Sequence, residues 1–96
     1  MHVRLASPAQ AELAVALEWY AAIQPSLSVR FLDEYEGLLE RLRENPWQFP
    51  AVHNSIRRAG FLHFPYGLFY RVHSAEVEIM ACFHARRDPR RWQDRI

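Results

Sequence analysis

The chain has 96 residues, half of them apolar and 14% aromatic, enough for one modest core and a single domain over residues 1–96. Cys82 is the lone cysteine, which excludes an intrachain disulfide and a thiolate metal cluster built from one chain. Twelve cations against eleven acids leave a net charge of +1, but residues 1–54 hold four Arg against seven acids and residues 55–96 eight Arg against four.

Every non-histidine cation is Arg, a side chain that binds phosphate or carboxylate through two bonds and cannot accept a proton at neutral pH. The first five residues carry no long apolar run, and the apolar stretches Leu13 to Leu17 and Ile79 to Phe83 are far too short to span a bilayer. The expectation is a soluble, cytoplasmic protein with no membrane contact.

Residues 2–6 alternate around Val3 and Leu5 and predict a strand. Ser7 is placed to cap a helix, with Pro8 at its first position and Gln10 at the capping-box spacing. Leu13, Ala16, Leu17, Tyr20 and Ala21 then form a one-sided stripe that ends before Pro25, with Gln24-Pro25-Ser26 as the turn. A second helix is predicted from about Leu27 to Glu44. Phe31, Tyr35, Leu38 and Leu42 form its apolar stripe, Leu32 and Leu39 widen it, and Arg30/Glu34 and Glu40/Arg43 stand at pairing distance on its charged side. Asn45-Pro46 stops it.

Beyond Trp47 the pattern changes. Phe49-Pro50 and His53-Asn54-Ser55 read as loop, and Ile56 to Leu62, Tyr66 to His73 and Val77 to His84 read as strands. Leu68, Tyr70 and Val72 fall on one face of their strand, with Phe69, Arg71 and His73 on the other; Val77, Ile79, Ala81 and Phe83 alternate with Glu78, Met80, Cys82 and His84. The predicted class is α+β: an N-terminal strand, an antiparallel helical hairpin, a small antiparallel β-sheet covered by that hairpin, and a short C-terminal tail.

No Gly-rich phosphate loop, nucleophile elbow or zinc spacing is present, so neither cofactor nor metal is expected. The densest polar cluster is the ending from His84 to Arg95. It reads either as a solvated end or, because Trp92 is costly to leave in water, as a tail held against the body with Arg86, Arg87, Arg90 and Arg91 in fixed directions. A fixed guanidinium group suits an acidic partner or a phosphate backbone. Arg57 and Arg58 read as surface charges. Arg71, inside an aromatic strand, needs solvent or a carboxylate partner and reads equally as a structural ion pair or a functional cation. His84 is either a titrating group or a packed polar residue.

Five strings in this order resemble the RelE/ParE toxin superfamily in its plasmid-stabilisation, ParE-like branch. They are Glu18-Trp19-Tyr20; Arg30-Phe31-Leu32-Asp33-Glu34; Leu42-Arg43-Glu44-Asn45-Pro46 followed by Phe49-Pro50; Phe64 to Val72; and His84 to Trp92. The resemblance covers nearly the whole chain. It implies the toxin of a type II toxin-antitoxin pair: a sheet backed by a helical hairpin, bound in a hetero-oligomer by a cognate antitoxin that the charge asymmetry predicts to be acidic where it touches.

The superfamily divides by target. Its mRNA-cutting members act on the ribosome and need a base, cations for the phosphorane and an acid for the leaving oxygen. By resemblance those roles fall near Arg57 or Arg58, Arg71 and His84, with no Lys for the nucleases' lysine positions and no Tyr after Tyr70. The ParE-type members resemble non-enzymatic poisons of DNA gyrase. The Arg-rich ending with Trp92 favours that branch, with Arg86, Arg87, Arg90, Arg91 and Trp92 as the target-binding set. A ribosome-dependent nuclease and a harmless partner-binding relative are the alternatives.

Overall fold

The computed structural model describes residues 1–85. The elements run β1 (His2–Leu5), α1 (Ser7–Ile23), α2 (Pro25–Glu44), a single 3₁₀ turn (Pro46–Gln48), β2 (Ala51–His53), β3 (Ile56–Gly60), β4 (Tyr66–Val72) and β5 (Glu76–His84). They form a five-stranded sheet in the order β1-β5-β4-β3-β2 with both helices on one face. The class is α+β, as predicted, but the sheet is mixed: β1 lies parallel to β5, His2 opposite Glu76, while the other pairings are antiparallel. The helical hairpin and the three strands β2, β3 and β4 separate β1 from its partner, a connection long enough for the parallel pairing.

Helix boundaries differ slightly from the sequence reading. Ser7 is the first helical residue, Ala6 occupies the N-cap without a side-chain cap, and Gln10 donates from Nε2 to the Leu5 carbonyl at 2.9 Å. The predicted turn shrinks to Gln24, because Pro25 starts α2, where its missing N–H costs nothing. On α1, Ala9 and Ala16 are buried and Leu13, Leu17 and Tyr20 pack on the core, whereas Ala21 is exposed. On α2 the predicted stripe of Phe31, Tyr35, Leu38 and Leu42 is buried, and Leu39 packs beside it. The Glu40–Arg43 pair forms at 2.6 Å. Glu34 instead reaches the loop after β3, accepting from the Leu62 and His63 amides at 2.8 and 3.1 Å and contacting His63 Nδ1 at 2.8 Å.

Phe31 centres the core. It stacks on Phe61 at 4.5 Å and Tyr20 at 5.5 Å, and meets the edges of Phe64 and Tyr66 at 5.0 and 5.2 Å. Such aromatic pairs add about 0.5–1.5 kcal/mol each beyond their buried area. Together they tie both helices to the segment that leads into β4. At the other end of β4, Tyr70 is fully buried, donates to the Pro46 carbonyl at 2.6 Å, and has its pKa pushed up to about 12 by burial, so it stays a neutral donor.

Further sheet features escaped the sequence. Ala51–His53 pairs with β3 through a tight turn in which Asn54 takes a left-handed φ of 50°, a conformation Asn tolerates; β3 itself stops at Gly60, leaving Leu62 exposed. The even alternation predicted for the last strand is also broken. Tyr70 faces Ile79 but Phe69 faces Ala81, so Met80 is an extra residue in a β-bulge. Val77 and Ile79 therefore face the helices, Ala81 and Phe83 face away, and Cys82 returns to the helix side.

No helix among the described residues is long and apolar enough to cross a membrane.

Candidate partner-binding surfaces

Once α1 has turned Ala9, Leu13, Ala16 and Tyr20 inward, Val15, Trp19 and Ile23 recur every fourth residue on an outer side. They are 56%, 63% and 60% exposed. Trp19 and Val15 border a cleft of about 200 Å³ completed by Tyr20, Tyr66 and His84, and an adjoining cleft of about 150 Å³ runs between Ala11, Glu12, Val15 and Cys82. Tyr66 lines both clefts, and its ring lies 5.2 Å from that of His84. Glu12 reaches β5 and accepts from the Cys82 amide at 2.9 Å. Burial, with the Glu12 charge adding to it, pushes the Cys82 thiol up to about 12, so it is a packed side chain rather than a nucleophile.

The opposite face of the sheet is more polar at its margins. Arg58 lies flat across the paired Gly60 and Gly67, its guanidinium carbon 5.9 Å from the Phe69 ring centre. A Cβ at Gly67 would stand 2.5 Å from Arg58 Nε, so hydrogen at that position is what lets the arginine lie down. At the β1 end, Arg4 pairs with Glu76 at 3.0 Å and with Glu78 at 2.9 Å, and His73 Nε2 lies 3.0 Å from the same Glu78 carboxylate. Those contacts, the His73 bond first and then Arg4, outweigh burial and hold the Glu78 carboxyl below its ordinary range. Arg71 stands opposite Glu78 in register, but that carboxylate is taken, and Arg71 Nε is buried without a hydrogen-bond partner among the described residues.

The residues carried over from the nuclease branch do not converge. Arg57 belongs to the helix side, where it donates to the Trp47 and Phe49 carbonyls and sits 5.0 Å over the Trp47 ring. His84 is also on that side, but it pairs with Tyr66 whereas Arg57 pairs with Tyr70, a separation of roughly 13 Å along β4 at the usual strand rise. Arg71, between the inward Tyr70 and Val72, points from the other face. The target-binding set expected from the ending, Arg86, Arg87, Arg90, Arg91 and Trp92, lies outside the described residues. Among the described residues no group of three His, Cys, Asp or Glu is placed to hold a metal ion.

The sequence reading passed over two features. The Val15-Trp19-Ile23 stripe was legible as a second four-residue period outside the inward one. The Glu34 clamp was not, because its acceptor role depends on a loop 28 and 29 residues away.

The family model described as the ParE toxin of type II toxin-antitoxin system, parDE, matches residues 3–89. No curated protein matches the chain. A solved structure described as the chromosomal ParDE TA system from P. aeruginosa has a TM-score of 0.75 and 16% identity, covering 88% of this chain and 95% of that one. At that identity the likeness is one of fold.

Proposed function

This chain belongs to the family of ParE toxins of type II toxin-antitoxin systems, and we propose that it acts in the cytoplasm, is neutralised there by a cognate antitoxin, and when released poisons DNA gyrase without nuclease chemistry. The observation that carries the non-enzymatic reading is the scatter of Arg57, Arg71 and His84 over both faces of the sheet. General acid-base cleavage of RNA requires its groups within hydrogen-bond reach of one phosphate. Arg57 is moreover occupied by two carbonyls; Arg58, the alternative, shares the face opposite the helices with Arg71 but lies across the sheet from His84, and the chain has no Lys to replace either.

For the antitoxin, the exposed apolar stripe of Val15, Trp19 and Ile23 with its adjoining clefts supports docking of a segment with apolar side chains against α1. The arginines of the ending supply the charge that an acidic flank of that segment would meet.

The deciding experiment adds the purified full chain to DNA gyrase and supercoiled plasmid. Trapped cleavage complexes and loss of supercoiling are expected, and Arg86→Ala with Arg87→Ala should remove both while leaving the far-UV spectrum unchanged. Unaffected gyrase together with cleaved transcripts in growth-arrested cells would replace this reading with ribosome-dependent cleavage. Overproduction with no growth defect would leave a partner-binding relative.

A further inference from the structure

We propose that one side of α2 is an interface with a second copy of this chain, the two helices lying antiparallel across a two-fold axis at Gly37. Arg30, Glu34, Gly37, Arg41 and Glu44 follow one another at steps of four, three, four and three residues, the spacing that keeps one stripe of a helix turned toward a helical partner. Their charges read plus, minus, none, plus, minus. Read from the other end the order is minus, plus, none, minus, plus, the complement at every charged position. A two-fold contact sets each residue against the one equally far beyond the axis. Arg30 of one copy therefore meets Glu44 of the other, Glu34 meets Arg41, and Gly37 meets itself. Exposed ion pairs are weak singly, but together these fix the register and make the parallel arrangement, which would set like against like, repulsive.

The fold leaves this stripe available. Phe31, Tyr35, Leu38 and Leu42 hold the core roughly a third of a turn away round the helix, and Arg30, Gly37, Arg41 and Glu44 are exposed while Glu34 is half-buried. Among the described residues neither Arg30 nor Glu44 has an ion-pair partner. The inner pair is held in place beforehand: the Leu62 and His63 amides fix the Glu34 carboxylate, and Gln48 takes Nε and Nη2 of Arg41, leaving Nη1 for the second copy. Asp33 and Glu40 border the stripe on one side, and Arg43 neutralises Glu40 at 2.6 Å.

The centre is shaped for close approach. A Cβ at Gly37 would meet nothing within 4 Å, and the surface there is a cleft of about 220 Å³ walled by Glu34, Leu38, Arg41, Gly60 and Leu62. Glycine weakens an exposed helix relative to alanine, and close approach of a second backbone is a use that offsets the loss. Leu62, 84% exposed at the rim of the cleft, adds apolar surface to the contact. The interface leaves Val15, Trp19 and Ile23 of α1 clear, so a pair of chains offers two α1 stripes to an antitoxin. It depends neither on gyrase nor on where the antitoxin docks.

Sedimentation velocity of the full chain over a concentration series tests the proposal. A dimer is expected at low ionic strength, several-fold weaker in roughly 1 M salt, where screening acts over about 3 Å. Arg30→Glu and Glu44→Arg, each alone, set like charges together twice per contact and should weaken the dimer at least tenfold. Combined in one chain they restore the complement and the dimer; mixed in equal amounts, the two single variants should pair with each other. Both positions are exposed, and Glu44→Arg puts a cation in the last turn of α2, where a helix favours it, so far-UV spectra should stay native. A chain that remains monomeric throughout, a dimer that both reversals leave intact, or single variants that neither recover in combination nor pair on mixing would overturn the proposal. Should a reversal cost the fold, cross-linking decides: Gly37→Cys should give a disulfide-linked dimer on mild oxidation, and Glu36→Cys, turned away from the stripe, should not. Equal cross-linking of the two would count against the axis at Gly37.

Discussion

Glu34 shows how one side chain can fix a loop at a distance. Its carboxylate takes the Leu62 and His63 amides and the His63 ring. Burial pushes its pKa upward, but the hydrogen bonds from His63 and Leu62 outweigh that and leave it below the ordinary value of 4.5. Because the folded value is depressed, the stabilisation is fully present above the unfolded value and is lost as pH falls through the folded one. Urea titrations of the parent and Glu34→Gln should therefore differ by about 1 kcal/mol at neutral pH, a solvent-screened share of what charged hydrogen bonds contribute. The difference should shrink below pH 4.5, the ordinary carboxyl value. A gap that stays constant into acid would show that the charge plays no part. Arg71 presents the reverse case, a cation whose Nε is buried without a partner among the described residues. Arg71→Met keeps the stem and removes the orphaned donor, so thermal melting should stay level or rise. A marked fall would mean that the guanidinium is paired in solution.

At the scale of elements, Gly67 and Met80 control what the sheet presents on its open side. Gly67→Ala brings a Cβ against the Arg58 guanidinium, the movable end of a flexible side chain. The arginine should swing away at a cost of less than about 1 kcal/mol, because a surface rotamer change is cheap. Melting would register that small shift, while the Arg58 Nε resonance should lose its ring-current displacement from Phe69. A large loss of stability would mean that the backbone, rather than Arg58, had to yield. The same two residues mark where sequence reading stops. Phe31, Tyr35, Leu38 and Leu42 announce α2 because a helix repeats its inward positions, here over about three turns, and one misplaced residue does not disturb the pattern. A strand has only a two-residue period, so the single extra residue Met80 reverses the phase of everything after it. That is why Ala81 and Phe83 were grouped with Val77 and Ile79 although they face the other way. The parallel placement of β1 was equally hidden, since Val3 and Leu5 alternate in the same manner against either kind of neighbour. Of the candidate site, residue types and positions were legible, but whether Arg57, Arg71 and His84 share a space depended on strand phase and register.

For the molecule as a whole, the exposed side of α1 and the open side of the sheet are separate surfaces. If the antitoxin grips α1, Trp19→Ala with Ile23→Ser should weaken the complex by about 2 kcal/mol or more, roughly thirtyfold, as truncating a central aromatic anchor does. Melting of the free toxin should hardly change, because both side chains are mostly exposed. Calorimetric titration would read the affinity, and an unchanged value would move the antitoxin to another face. The pairing of β1 with β5 has a consequence in time. The first described strand finds its place beside the last described one, across 74 residues from His2 to Glu76. Helices α1 and α2 can pair while translation continues, but the sheet cannot close until β5 has emerged, and contacts so distant in sequence form slowly. The interval before β5 emerges is therefore the one in which the chain is most open, with the helical hairpin formed and β1 still without its neighbour.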